Sequence, residues 1–384
     1  MKRLFAILLL VTILAGCSGS GTAMQEGSAD WTSFRGDGSL SGSVSAALPS
    51  QPALLWSTST GQRTVASPLI KDGIIYTLGR RGLLRAVDAQ GKEVFTKDFA
   101  TFIEATPLLV DTTLFIGTID GNMLALGIHG REILWDFPTE GQISAPPMET
   151  TYGKDKALVF GSYDNNLYTL RQQDGQLLSK FESGYYLNGA AAVLDGYLAF
   201  GGCDQWLRIV DTRAGVQTDS LMLDAYLPSS PVFSGNDGYI GDYGGNIYHI
   251  KLENGKIASS EKIHRAGSRD GSSFVGLPAV GKDNVCFFSG RSVICASRKD
   301  GSVRWETLLK GPTGESSPTQ CRNGILVCTK NGIVSILDRA SGQVKWEYDT
   351  GEDILACPAV VPGRFYILTA KGTLLCFGQS TNTP

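Results

Sequence analysis

The residues of this chain with the most chemistry to offer are eight cysteines, three histidines and a set of aspartates placed beside glycine. His129, His249 and His264 are too scattered for a two-histidine metal motif. Two of them lie in or near polar turns, so they offer little for a Ser/His/Asp catalytic arrangement. Asp88, Asp211 and Asp338 precede tight turns, where a carboxylate accepts hydrogen bonds from turn amides; they read as structural. Leaving Cys17 aside, Cys203, Cys286, Cys295, Cys321, Cys328, Cys357 and Cys376 remain, an odd set that leaves at least one unpaired thiol. One pair follows from counting. If Gly290-Arg291 is a two-residue hairpin turn, Ser289 faces Ser292 and, further out, Cys286 faces Cys295. That is a non-hydrogen-bonded position, where Cα atoms approach to about 4.5 Å, within disulfide range. A Cys286–Cys295 contact is therefore expected, either as a disulfide or as two buried free thiols. The same counting sets Cys321 opposite Leu326, so no Cys321–Cys328 pair is expected.

These residues sit on a repeat. A small residue followed by proline recurs at Pro68, Pro107, Pro146, Pro231, Pro278, Pro318 and Pro358, with a degenerate copy near Ala191. A polar or glycine turn follows each, as at Arg81-Gly82, Asp120-Gly121 and Asn331-Gly332, and a closing glycine follows that, as at Gly91, Gly175 and Gly342. Between them lie β-branched and aromatic runs such as Ile74–Leu78, too short for helices. Asn-Gly, Asp-Gly and Gly-Gly turns suit tight hairpins, because both central residues can take positive φ. Units of about 40 residues with four antiparallel strands are the size of one propeller blade. The eighth unit stops after Leu374–Phe377, and Ala53–Ser57 supplies its missing outer strand, which also covers exposed strand edges. The expected fold is all-β: an eight-bladed propeller of four-stranded antiparallel blades, closed by the N-terminal strand, over residues 31–378. Repeated tryptophans at blade ends, Trp56, Trp135, Trp305 and Trp346, read as packing between sheets; Phe95 and Leu178 take their place elsewhere.

The ends carry different information. Lys2 and Arg3 precede an apolar run, Leu4–Leu14, that is too short to span a bilayer and reads as an export signal. Leu14-Ala15-Gly16-Cys17 resembles the lipobox of bacterial lipoproteins, which implies a signal peptide of residues 1–16 and lipidation (palmitate among the acyl groups) at Cys17. Residues 17–30, rich in Ser and Gly, read as a flexible tether, and 379–384 as a disordered tail. Ser18 stands where an inner-membrane retention signal would have Asp, which favours the outer membrane, facing the periplasm. A net charge of −3 gives no basic footprint for nucleic acid. No other apolar run could cross a membrane, so the expected membrane contact is through the lipid alone.

The Ser67-Pro68, Asp120-Gly121-Asn122 and Ser341-Gly342-Gln343-Val344-Lys345-Trp346 motifs resemble those of the quinoprotein (PQQ-like) propeller family. The leader Trp31-Thr32-Ser33-Phe34-Arg35-Gly36 is similar to that of secreted PQQ-like repeat proteins. The resemblance covers residues 31 to 377. Quinoprotein dehydrogenases of this family carry an adjacent Cys-Cys pair, a stacking Trp and Ca²⁺-binding carboxylates; this chain has no Cys-Cys pair and no Cys-x-x-Cys-His haem motif. No catalytic residue, metal or cofactor is therefore assigned. Size, lipobox and short tether are similar to the lipid-anchored members that serve outer-membrane β-barrel protein assembly. That likeness implies a non-catalytic scaffold with a protein partner in the envelope, such as a β-barrel assembly subunit. It also implies that the loop entering the fourth blade meets the partner: a Leu-Arg-Gly stretch there matches Leu187-Asn188-Gly189, with the arginine lost. Tyr185, Tyr186, Leu187, Asn188, Trp206 and Tyr226 are the candidate partner-binding residues, on blade connections and turns. Lys262, His264, Arg265 and Arg269 mark a polar insertion. Two alternatives stay open: a PQQ-binding oxidoreductase, and a carbohydrate- or small-ligand-binding propeller that would stack sugars on Trp206 and the tyrosines.

Overall fold

A computed structural model describes residues 29–129, 131–265 and 276–380. Cys17 and the signal segment, Arg269 and residues 381–384 lie outside the described residues. The described chain forms eight four-stranded antiparallel sheets arranged as a propeller. In the first blade the strands are β2 (Leu69–Lys71), β3 (Ile74–Leu78), β4 (Leu83–Val87) and β5 (Glu93–Asp98), paired in that order from the axis outward. The eighth blade takes its three inner strands from the end of the chain and its outer strand from β1 (Pro52–Ser59). Ser59 faces Thr373, Leu54 faces Phe377 and Pro52 faces Gln379. This joint is the one the repeat count calls for. The last strand runs through Gln379, and Ser380 N donates to Gln51 O at 3.0 Å, so the fold continues slightly past residue 378.

Burial follows the position in the blade: the middle strands are mostly buried between neighbouring blades, and the outer strands show a half-exposed pattern. The blade-end tryptophans seal the joints. Trp56 lies over Gly91 of the next blade, and its Nε1 donates to Ala89 O at 2.9 Å. Trp135 repeats this with Gly175 and Gln172 O, and Trp305 with Gly342 and Arg339 O. A Cβ on Gly91 would stand 2.7 Å from the Trp56 ring, so the glycine leaves the niche that the indole fills. The turn aspartates act as expected. Asp88 accepts from Gln90 N and Lys92 N, Asp211 from Arg213 N, and Asp338 from Ala340 N and Ser341 N.

The leader has a role that its motif alone does not disclose. Residues 31–47 line the inner edges of the blades. Trp31 and Ile70 exchange backbone bonds at 2.7 Å; Leu109 N donates to Thr32 O, Val193 N to Gly38 O, Phe233 N to Ser39 O and Val280 N to Ser41 O. Gln320 N then donates to Gly42 O, and Gly363 N to Ala47 O. Innermost strands would otherwise present unpaired backbone to the channel; the leader bonds them in blades 1, 2, 4, 5, 6 and 7, and in blade 8 bonds the turn that follows. At its core Arg35 is 2% exposed, with its guanidinium donating to Pro278 O at 2.7 Å and Pro318 O at 3.2 Å. Burial pulls its pKa down, opposed by Cys357 and Asp37, but a guanidinium keeps its proton in proteins. A Cβ on Gly42 would lie 1.8 Å from Arg35 Nη2, so only glycine lets the side chain reach its acceptors.

Candidate functional site: the loop face

Blade connections and the turns between second and third strands share one face. The same backbone hydrogen bond ties them in seven blades. The turn residue donates to the preceding connection as Arg80→Arg63, Ile119→Phe102, Tyr163→Gln142, Cys203→Tyr186, Tyr243→Tyr226, Lys330→Pro312 and Ala370→Asp353, at 2.7–3.2 Å. Backbone geometry at this slot is constant while the side chains change type completely. Packing therefore does not choose them.

In blades 3 to 5 each slot pair includes a tyrosine: Tyr163, Tyr186, and both Tyr226 and Tyr243. Tyr185, Tyr186, Tyr226 and Tyr243 are about half exposed. Tyr186 stacks on Tyr163 with ring centroids 5.0 Å apart and meets Tyr185 at 4.4 Å. Trp206 is half-buried, with its backbone N–H donating to Asp204 Oδ1. Burial raises the pKa of Asp204, but hydrogen bonding and charge from Arg208 outweigh this and hold the carboxylate below its ordinary range. Tyr185, Tyr186, Trp206 and Tyr226 thus lie on one face. Tyr163 and Tyr243 join them and were missed in the sequence. Aligning the repeats shows them, since Tyr243 follows Tyr226 by the same interval as Arg80 follows Arg63.

Two sequence expectations need correction here. Leu187 is 1% exposed and cannot be a surface contact. In five of the seven connections the residue after the slot position is a buried apolar anchor (Ile103, Ile143, Leu187, Leu227 and Ile354), seated in three of them over a strand-end glycine: Gly117, Gly161 or Gly201. The polar insertion is likewise shorter than expected. An outer strand runs from Lys256 to His264, Lys262 pairs with Asp224, and His264 Nε2 lies 3.0 Å from Ser289 Oγ.

Asn188 is half-buried and lines a cavity of about 500 Å³ at the channel mouth with Phe34, Ser229, Leu277, Glu315 and Lys330 among its walls. Asn188 Oδ1 and Ser229 Oγ have no hydrogen-bond partner among the described residues. The donor set does not fit a Ca²⁺-held quinone. Glu315 is the one carboxylate lining this cavity, and among the described residues no three His, Cys, Asp or Glu side chains are grouped to hold a metal. Below the mouth the axis is filled by Arg35 and the leader.

Away from this face, Cys286 and Cys295 pair in register as counted, with their Sγ atoms 2.8 Å apart and both side chains buried as free thiols. Burial pushes Cys286 up, while hydrogen bonds from Cys286 and Asn284 pull Cys295 down. Cys321, by contrast, faces Gly324 and not Leu326, because Arg322-Asn323 forms a tight turn; Thr319 faces Leu326. The absence of a Cys321–Cys328 pair is unaffected.

The sequence profile described as outer membrane protein assembly factor BamB matches residues 40–183, 215–346 and 291–383. The chain belongs to the BamB family. The BamB of Shewanella oneidensis is 22% identical over 361 residues, covering 84% of this chain and 88% of that one. The BamB of Burkholderia pseudomallei is 22% identical over 343 residues, covering 84% and 87%. Among solved structures, BamB from Moraxella catarrhalis superposes with a TM-score of 0.70 at 18% identity, covering 87% of this chain and 99% of that chain. Quinohemoprotein alcohol dehydrogenase from Comamonas testosteroni reaches 0.73 at 12% identity, covering 93% and 82%. At such identities the structural likeness shows the fold alone, and dehydrogenase and BamB share it equally.

Proposed function

We propose that this chain is a non-catalytic, lipid-anchored scaffold that binds a protein partner during outer-membrane β-barrel protein assembly. The anchor is the lipidated Cys17, and the docking surface is the aromatic sector built on Tyr185, Tyr186, Trp206 and Tyr226. The observation that carries the docking surface is the slot: identical backbone in successive blades, filled by half-exposed tyrosines in one sector only. Clustered exposed aromatics on a rigid frame are what protein interfaces use as anchors, since they bury large area at little entropic cost. Family membership supports the assembly context.

The test is photocrosslinking in the envelope from Tyr226 and, as a control, from the outer-strand position Val94. Crosslinking to a β-barrel assembly subunit from Tyr226 alone supports the reading. No such product, or equal products from both positions, overturns it. Mass analysis of the mature N-terminus tests the lipid: an unmodified Cys17 or cleavage elsewhere removes the anchor.

A further inference from the structure

On the same face, opposite in character to the aromatic sector, the slot of blade 1 is filled by arginine. Arg63 and Arg80 occupy it, Arg81 follows, and together with Gly61, Gln62 and Phe102 they line a cavity of about 530 Å³. The backbone holding them is fixed. Arg80 N donates to Arg63 O at 2.7 Å, Ile103 N to Arg80 O at 3.0 Å, and Arg81 N to Gln62 Oε1 at 2.9 Å. Arg80 pairs with Glu104. The Arg63 and Arg81 side chains are exposed and have no ionic or hydrogen-bonding partner among the described residues. Holding three guanidinium groups around one concavity costs repulsion, and an anion relieves it. The chain as a whole carries a charge of −3, so this positive corner is local.

We propose that this cavity recognises an acidic peptide segment, one presented by the partner that docks on the loop face; the inference rests on that docking reading. Two features favour peptide carboxylates over a phosphate group. First, phosphate sites draw on free backbone amides. Here the amides of Arg80, Arg81 and Leu83 are all taken, by Arg63 O and by Gln62 Oε1. An anion at the turn therefore meets chiefly side-chain forks, and a planar guanidinium matches a planar carboxylate in bidentate fashion. Second, Phe102 is 52% exposed on the rim and offers an apolar wall to the methylenes of a peptide chain.

The experiment uses the full chain and a fluorescein-labelled peptide of alternating Asp and Glu, with its Asn/Gln counterpart, read by anisotropy. The acidic peptide is expected to bind and the neutral one not. Arg63→Glu with Arg81→Glu is expected to weaken binding at least about tenfold, as is raising salt to roughly 0.5 M. Arg63→Lys with Arg81→Lys keeps the charge but loses the forks, and should fall between. Unchanged binding in the Glu variant, equal binding of the neutral peptide, or displacement by inorganic phosphate more readily than by unlabelled acidic peptide overturns the proposal. So does arginine-dependent binding to vesicles of anionic lipid in preference to the peptide. If the Glu variant binds acidic peptide normally while Tyr226 still crosslinks to the partner, only this inference fails. If Tyr226 crosslinks nothing, the docking reading fails.

Discussion

Two positions that recur around the ring behave in opposite ways. At the outer joints an indole lies over the next blade's turn glycine: Trp56 over Gly91, Trp135 over Gly175 and Trp305 over Gly342. At the loop face the slot holds Arg63 and Arg80 in one blade, Tyr226 and Tyr243 in another, and Pro312 and Lys330 in a third. The backbone is equally regular at both. What repeats is there because closing the ring requires it; what varies on an unvarying backbone is free to serve recognition. A blade-end tryptophan, which has the look of a ligand-stacking group, is thereby assigned to folding, and the half-exposed tyrosines are the residues we propose for binding.

This contrast can be broken by substitution. The largest expected effect is at the axis. Arg35→Ala leaves Pro278 O and Pro318 O buried without their donor, at about 1–3 kcal/mol each, so denaturant unfolding should show a loss of about 4 kcal/mol. A loss under about 1 kcal/mol would mean the leader is dispensable to the ring. Next comes Trp305→Ala, which empties a joint and should cost about 3 kcal/mol, with partner binding retained in proportion to the folded fraction. Third is the Cys286–Cys295 pair. Under oxidising refolding it is expected to close to a disulfide, with both thiols disappearing from a thiol count, and to add about 2 kcal/mol relative to the reduced protein. Both thiols remaining titratable in the oxidised, unfolded chain would show that the pair stays free. The smallest stability effect belongs to Tyr226→Ser, expected within about 0.5 kcal/mol. Its partner affinity, by contrast, should drop at least about tenfold. If Tyr226→Ser unfolds the protein instead, the distinction between the two positions is lost.

Legibility in the sequence followed the same division. Blade boundaries, the eight-unit count, the joint between residues 53–57 and the chain's last strand, and the Cys286–Cys295 register were readable because each depends on local spacing: a turn fixes a register, and a register fixes which side chains face each other. Leu187 was misread because it shares a connection with Tyr185 and Tyr186 and matches the family's Leu-Arg-Gly stretch. Only the recurrence of an apolar residue after five of the seven slots marks it as an anchor. Cys321 was misplaced because the two-residue turn after it was set one residue too late. Repeat alignment pairs Arg63 with Arg80, but only the fold brings Arg81 and Phe102 around the same cavity.

By itself, then, the order of residues determined a closed ring of four-stranded sheets, since β-strand alternation, glycine turns and repeat length are short-range properties. Tertiary structure alone decided that the leader threads the axis with Arg35 at its centre, and that aromatic and cationic sectors share one face. Those facts depend on groups from different blades meeting across the ring, and no spacing along the chain encodes such a meeting.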